Sequence, residues 1–255
     1  MTTQNKTKLK TLFELLKPDN VLTSKLLDEN DISRHLRRYY QDNGWIESIG
    51  KGAYKKPGNN LDWQAGVNAL QFQLSLNIHV GGLTALALYG LGHYLRLSQE
   101  KLYLFSLLKT RLPKWFTDYN WNVELFHKPT SFLPESLGIK QMDINGITIK
   151  VSTPERAILE CLLLAPHNAD LVECYQVFEG LVNLKPKLVG ELLMTCNSVK
   201  VKRLFLYMAK KANHQWLQFI TPDKIKIGSG DRMITKNGMY ISDYQITVPK
   251  ELAEL

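Results

Sequence analysis

The chain has 255 residues, 44% hydrophobic and 22% charged, with a formal net charge of +8. That composition fits a folded globular protein and excludes a disordered one, and no run approaches the ~20 uncharged apolar residues of a membrane span. The opening MTTQNKTKLK carries no apolar leader core, so a cytoplasmic protein without membrane contact is expected.

The first predicted helix is marked by Leu9, Leu12, Phe13 and Leu16, which recur on one stripe expected to be buried; Pro18 stops it. A second short helix follows, capped by Thr23 or Ser24 and contributing Leu26 and Leu27 to the interior. The polar segment 28–31 makes a turn. Ser33 then caps a third helix running to about Asp42. Its pattern places Ile32, Leu36 and Tyr40 inward and puts Arg34, Arg37, Arg38 and Gln41 together on the opposite face. Asn43-Gly44 ends it in a left-handed turn. The stretch from Trp45 to Lys56 reads as a hairpin with a basic tip, turning at Gly50-Lys51-Gly52. Pro57 to Asn60 forms a loop and the expected boundary between a domain at 1–58 and another at 61–255.

Beyond the loop, residues 62–76 are predicted helical and NIHVGG (77–82) is a short strand and turn. A small-residue helix is expected over 83–91. Strands are expected at 101–106, 121–126 and 146–152, the last introduced by Asn145-Gly146. Residues 154–219 are helix-rich, and 224–228 and 238–248 close the chain as strands. The body therefore reads as α+β, without the alternation of a doubly wound sheet. Cys161, Cys174 and Cys196 are irregularly spaced in apolar, helix-like surroundings and are expected as buried, reduced thiols.

Three helices and a basic hairpin within sixty residues make the layout of a winged helix-turn-helix, so the fold class expected is α+β with that domain first and a larger mixed domain after it. Recognition of duplex DNA needs a helix that enters a groove about 12 Å wide and offers donors to base edges and phosphates. Arg34, Arg37 and Arg38 supply forked donors, with Gln41 beside them. Ser33 and the helix N-terminus offer donors to a phosphate. Lys51, Lys55 and Lys56 suit backbone contact from the wing. His35 borders this face, either as a DNA contact or as a plain surface histidine. Residues 1–58 hold 11 Lys and Arg against 7 Asp and Glu, half the chain's excess of positive charge in under a quarter of its length. A second basic region, Lys200, Lys202, Arg203, Lys210 and Lys211, reads either as an extension of the footprint (or a dock for an acidic partner) or as a solvated helix face.

Other features point away from catalysis. Gly81-Gly82 lacks a phosphate-loop pattern and reads as a chain reversal. Residues 152–156 read as a helix start, with Ser152 and Glu155 as a capping box or Thr153 capping ahead of Pro154. The six histidines are dispersed, without a metal-binding or serine-elbow motif. A metal-dependent nuclease would need clustered acids, and Glu155 and Glu160, five apart on an apolar helix, are the nearest candidates. No enzyme activity, cofactor or metal is expected.

Several of these segments, taken in order, resemble one family. The wing pattern of Gly44, Trp45, Gly52 and Tyr54, the segment GGLTALALYGL, and the stretch from Thr153 to Ala157 resemble the AbiEi antitoxins of type IV toxin–antitoxin systems, which act in phage defence. The resemblance spans most of the chain but not its last fifty or so residues. It implies an N-terminal domain that binds promoter DNA at inverted repeats and represses its own operon. It also implies a C-terminal domain that counteracts a nucleotidyltransferase-like toxin, with no stable complex required. The alternative left by the residues alone is a stand-alone regulator whose body senses a ligand or a partner.

Overall fold

Helix α1 (Thr3–Leu15), strand β1 (Leu22–Thr23), helices α2 (Ser24–Glu29) and α3 (Arg34–Asp42), and the hairpin β2 (Glu47–Gly50) and β3 (Ala53–Lys55) follow one another in a computed structural model that describes residues 3–92, 100–221 and 225–255. The caps form as local chemistry dictates. Thr23 Oγ1 accepts from the Leu26 N–H at 3.2 Å and Ser33 Oγ from the Leu36 N–H at 3.3 Å, satisfying helix-end donors that would otherwise be orphaned. Gly44, at φ +70°, turns the chain out of α3. The strands pair antiparallel in the order β1-β3-β2. This is the winged helix-turn-helix arrangement, with its own core of Leu12, Leu16, Leu22, Leu27, Ile32, Tyr40 and Ile46. Phe13 departs from the expected buried stripe. It is 56% exposed, and its ring leans on Trp45 at 6.4 Å between centroids.

A head of about sixty residues buries too little surface to be robust alone, and this one is fastened to the body. Val21 and Ala53 belong to the main core, not the head's own. The fastening runs through one π-helical turn, Ala69–Gln73, which continues helix α4 (Trp63–Asn68). Gln73 receives the Thr23 N–H at 2.9 Å and donates to the Val21 carbonyl at 2.6 Å. Gln71, two residues earlier, faces the other way. Its amide donates to the Ile78 and Lys150 carbonyls at 3.2 and 3.0 Å and accepts the Lys150 N–H at 2.7 Å. The wing is fastened separately. Gly50 has φ +142°, and a Cβ there would lie 2.9 Å from the Trp115 backbone.

The body is built on a five-stranded sheet of order β6-β5-β4-β8-β7, comprising β4 (Ile78–Val80), β5 (Lys101–Ser106), β6 (Glu124–Pro129), β7 (Ile139–Ile144) and β8 (Ile147–Ser152). Helix α5 (Gly82–Leu88) follows β4, α6 (Lys114–Asp118) carries Trp115, and α7 (Pro154–Leu164) follows β8 and packs on α5. Helices α8 (Leu171–Glu179), α9 (Pro186–Thr195) and α10 (Val199–Lys211) complete the helix-rich part. A small sheet of β9 (Arg232–Met233), β10 (Met239–Ile241) and β11 (Ile246–Val248), then α11 (Lys250–Glu254), ends the chain.

The differences from expectation have local causes. The strand expected at 121–126 begins three residues later, because Trp121 is used as a buried anchor whose indole N–H donates to the Phe116 carbonyl at 2.7 Å. Strand β7 is not among the expected strands: its side chains are exposed or half-buried on a sheet edge, so it lacks the apolar run of a core strand. Of the strand expected at 224–228, Lys224 lies outside the described residues and 225–228 are not extended in a ladder. The three cysteines are buried and unbridged.

Candidate nucleic-acid interface

Helix α3 presents its arginines unequally. Arg34, His35, Arg38 and Gln41 are exposed, but Arg37 is buried. At about 100° per residue, Arg37 lies roughly 60° from Arg34 and roughly 60° from the buried Tyr40, midway between the two faces. What decides its direction is the turn before the helix. Arg37 Nη1 donates to Asp28 Oδ1 at 2.6 Å, to the Ile32 carbonyl at 2.9 Å and to the Ser24 carbonyl at 3.3 Å. The expectation that Arg37 points outward is therefore corrected: its guanidinium closes the helix-turn-helix. The periodicity suggested a four-residue basic face; sequence gave no sign that an acid nine positions earlier would capture one member.

The wing is similarly divided. Lys51 at the tip and Lys56 beyond β3 are exposed. Lys55 is buried, its Nζ donating to the Asn59 carbonyl at 2.6 Å and lying 3.3 Å from Glu47 Oε1. It braces the hairpin against the 57–60 loop instead of facing outward, which corrects that assignment. Ser33 uses its hydroxyl oxygen as the cap of α3 while remaining exposed. The surface left for an anionic partner is thus Ser33, Arg34, His35, Arg38 and Gln41 on the helix, with Lys51 and Lys56 on the wing. Tyr39, 40% exposed and edge-on to Trp45 at 5.8 Å, borders this surface.

The second basic region does not form a patch, because α10 runs through the centre of the body. Lys200 donates to the Leu163 and Ala165 carbonyls at 2.8 and 2.5 Å. Lys202 and Arg203 are buried. Arg203 donates to the carbonyls of Ile227, Gly228, Gly230 and Gln245 and thereby ties the C-terminal segment to α10. Lys210 pairs with Asp243 at 3.1 Å and Lys211 donates to the Ala253 carbonyl. Of the five, only Lys210 is exposed, and it pairs with Asp243.

The most concentrated chemistry in the body surrounds Glu160, which is fully buried. Its Oε1 lies 2.7 Å from His79 Nε2 and accepts from Arg156 Nε at 2.8 Å. Ser152 Oγ is within 3.0 and 2.8 Å of the two carboxylate oxygens, and Oε2 accepts the Gly82 N–H at 3.0 Å. Burial raises the carboxyl's proton affinity, but the His79 and Arg156 charges and hydrogen bonds outweigh it and hold the pKa below the ordinary glutamate value. The expected capping box is absent. Ser152 serves Glu160, Glu155 accepts the Lys185 N–H at 3.0 Å, and Thr153 holds the N-cap position without a side-chain bond, ahead of Pro154. Gly81-Gly82 does reverse the chain, and it also wraps the carboxylate; a Cβ on Gly81 would collide with Glu160. The signal available in the sequence was a lone charge, Glu160, inside an apolar run. Its partner His79 is eighty-one positions away and carried no signal.

Among the described residues no group of three or more His, Cys, Asp or Glu could hold a metal ion, and no helix is long and apolar enough to cross a membrane.

A capped helix-turn-helix with an outward cationic helix face and a basic hairpin beside it defines a winged-helix protein of the nucleic-acid-binding class. The family model for the N-terminal domain of the AbiEi antitoxin transcriptional regulators matches residues 5–97. The model for the AbiEi antitoxin transcriptional regulators of type IV toxin–antitoxin systems matches residues 99–249. The chain belongs to this AbiEi antitoxin family. The match runs to 249, past the point where recognisable motifs end, and its two parts divide near residue 98, well beyond the 57–60 loop. The fold is similar to the crystal structure of the RV2827C protein from Mycobacterium tuberculosis, with a TM-score of 0.61 and 13% identity, covering 94% of this chain and 90% of that one. No curated protein matches the chain.

Proposed function

We propose that this antitoxin represses its own operon by binding promoter DNA at inverted repeats, and that it counteracts a nucleotidyltransferase-like toxin encoded beside it as part of a phage-defence system. The observation that carries the DNA half is the shared outward face of Arg34, Arg38 and Gln41 on α3, flanked by Lys51 and Lys56 of the wing. Guanidinium forks match guanine edges and phosphates bidentately, while wing lysines act as point charges on the backbone. Two copies on an inverted repeat place half-sites one helical turn, ~34 Å, or a multiple apart.

The toxin-directed half rests on family membership, and the body is its natural seat. We read the chain as a binding protein, not an enzyme, because Glu160, its most perturbed carboxylate, is fully enclosed by its partners and offers no atom to a substrate.

The test is an anisotropy titration of the full chain on its own promoter, comparing wild type with Arg34→Ala/Arg38→Ala. The double variant should lose specific binding while keeping its thermal transition. Wild-type affinity in the double variant defeats the assignment. A promoter reporter and co-expression with the neighbouring gene then separate repression from protection.

A further inference from the structure

The wing is not the last cationic element on its side of the molecule. We propose that residues 109–114, in the body, contact the DNA backbone beyond the wing, so that the footprint on the promoter extends past what the winged helix-turn-helix alone covers. This inference rests on the DNA-binding reading above.

Placement comes from the wing's attachment. Strand β2 is the outer strand of the wing, in the order β1-β3-β2. At its end, Gly50 lies so close to α6 that a Cβ on it would stand 2.9 Å from the Trp115 Cα. Lys51 follows Gly50, and Lys114 precedes Trp115. With consecutive Cα atoms about 3.8 Å apart, those of Lys51 and Lys114 are within about 12 Å of each other. Both residues are exposed, and long flexible ammonium stems bridge such a separation onto one phosphate backbone.

Charge supplies the rest. The stretch from Leu107 to Thr117 holds Lys109, Arg111 and Lys114 and no acid. All three are exposed, and none makes a side-chain hydrogen bond or ion pair among the described residues. The first acid after them, Asp118, accepts from Thr117 Oγ1 at 2.8 Å. On the wing, Glu47 lies 3.3 Å from Lys55 Nζ, which leaves Lys51 and Lys56 uncommitted. The contrast with α10 is direct, since there Lys200, Arg203 and Lys211 spend their donors on carbonyls of the body. Cations without a part in holding the fold suit a polyanion, which rewards a row of point charges by releasing its counterions. Continuity with the wing favours duplex phosphates over an acidic protein surface.

The experiment is an anisotropy titration of the full chain on its own promoter at several salt concentrations, with hydroxyl-radical footprinting of the same complexes. Lys109→Gln/Arg111→Gln/Lys114→Gln removes the three cations. Lys187→Gln/Lys236→Gln/Lys250→Gln, at exposed positions elsewhere in the body, makes the same change in net charge. Lys109→Arg/Arg111→Lys/Lys114→Arg keeps the charge. The first variant should lose about tenfold or more in affinity and lower the slope of log affinity against log salt by roughly two to three, about one per phosphate contact. It should also lose backbone protection at the wing end of the footprint alone. The control and the charge-keeping variant should bind as wild type. Wild-type affinity and footprint in the first variant, or an equal loss in the control, overturn the inference. So does a loss in the charge-keeping variant, because phosphate contact depends on charge. If the first variant binds as wild type while Arg34→Ala/Arg38→Ala does not, this inference fails and the DNA-binding reading stands; if wild type itself does not bind the promoter, both fail. A first variant that keeps promoter affinity but no longer protects cells co-expressing the neighbouring gene places a protein on this segment and defeats the proposal.

Discussion

Arg37 Nη1 sits 2.6 Å from Asp28 Oδ1, and this contact closes the turn between the two helices of the winged helix-turn-helix head. Arg37 is buried while the Asp28 side chain is 59% exposed, so half of the pair is solvent-screened. The arginine's bonds to the Ile32 and Ser24 carbonyls matter at least as much as the charge. Arg37→Ala should lower stability by about 1–3 kcal/mol, the usual cost of orphaning buried polar groups, read from chemical denaturation. Any loss of DNA affinity in that variant should be accompanied by a lower thermal midpoint. An Arg37→Ala protein with wild-type stability contradicts this account.

Arg38 should behave in the opposite way. It is exposed on the outward face of α3 and makes no side-chain hydrogen bond or ion pair among the described residues. Arg38→Ala should leave the midpoint unchanged and weaken promoter binding by roughly 1–3 kcal/mol where it meets a base. Lys51→Ala and Lys56→Ala should instead lower affinity for all duplexes alike and reduce the slope of log affinity against log salt by about one each. Titrations at several salt concentrations distinguish the two behaviours.

Gly50 offers a test of the wing's attachment. Its φ of +142° disfavours any side chain, and a new Cβ would meet the Trp115 backbone at 2.9 Å. Gly50→Ala should cost about 1–3 kcal/mol through strain and overpacking together. Hydrogen exchange should localise the loosening to β2 and α6. Gly52→Ala shares the positive φ, but its Cβ would come no closer than 3.6 Å to any neighbour, so it should cost less.

Acid should act through Glu160. Its folded pKa lies below the ordinary value, with burial opposing and His79 and Arg156 prevailing. The unfolded chain therefore binds the proton more readily than the native one. The resulting stability is fully present above the unfolded glutamate value and is lost as pH falls through the folded one. Glu160→Gln should be destabilised near neutrality and should show a flatter decline in stability between pH 5 and the acid limit, about where such carboxylates titrate. Denaturant midpoints measured across that window decide it; a decline as steep as wild type removes Glu160 from the explanation.

The elements written in local chemistry were readable from sequence. Thr23 and Ser33 announce their helices by capping, Gly44 ends α3, and the glycines around Lys51 make the wing turn. What could not be read is what long-range partners decide. Spacing leaves Arg37 on the border between the two faces of α3, and Asp28 and two carbonyls decide that it is structural. Arg203 looks like part of a surface run until the segment from Ile227 to Gln245 accepts its donors. Of the two helix starts that residues 152–156 allow, Thr153 ahead of Pro154 is the one adopted, although without a side-chain bond, and the box of Ser152 with Glu155 is not. Here both had better partners, in a carboxylate eight residues on and an amide thirty residues on.

The paired amides of Gln71 and Gln73 carry a consequence for any attempt to divide the molecule. A single coil holds the first strand of the N-terminal head with one glutamine and the backbone of β4 and β8 with the other. Severing the chain in the loop at 57–60 would strip that strand of its clasp and leave Val21 and Ala53 facing water. A piece ending there should melt broadly and early, whereas one continuing past Gln73 carries its own buttress. The loop that proline, glycine and asparagine mark out thus lies between the head and the glutamine that clasps it.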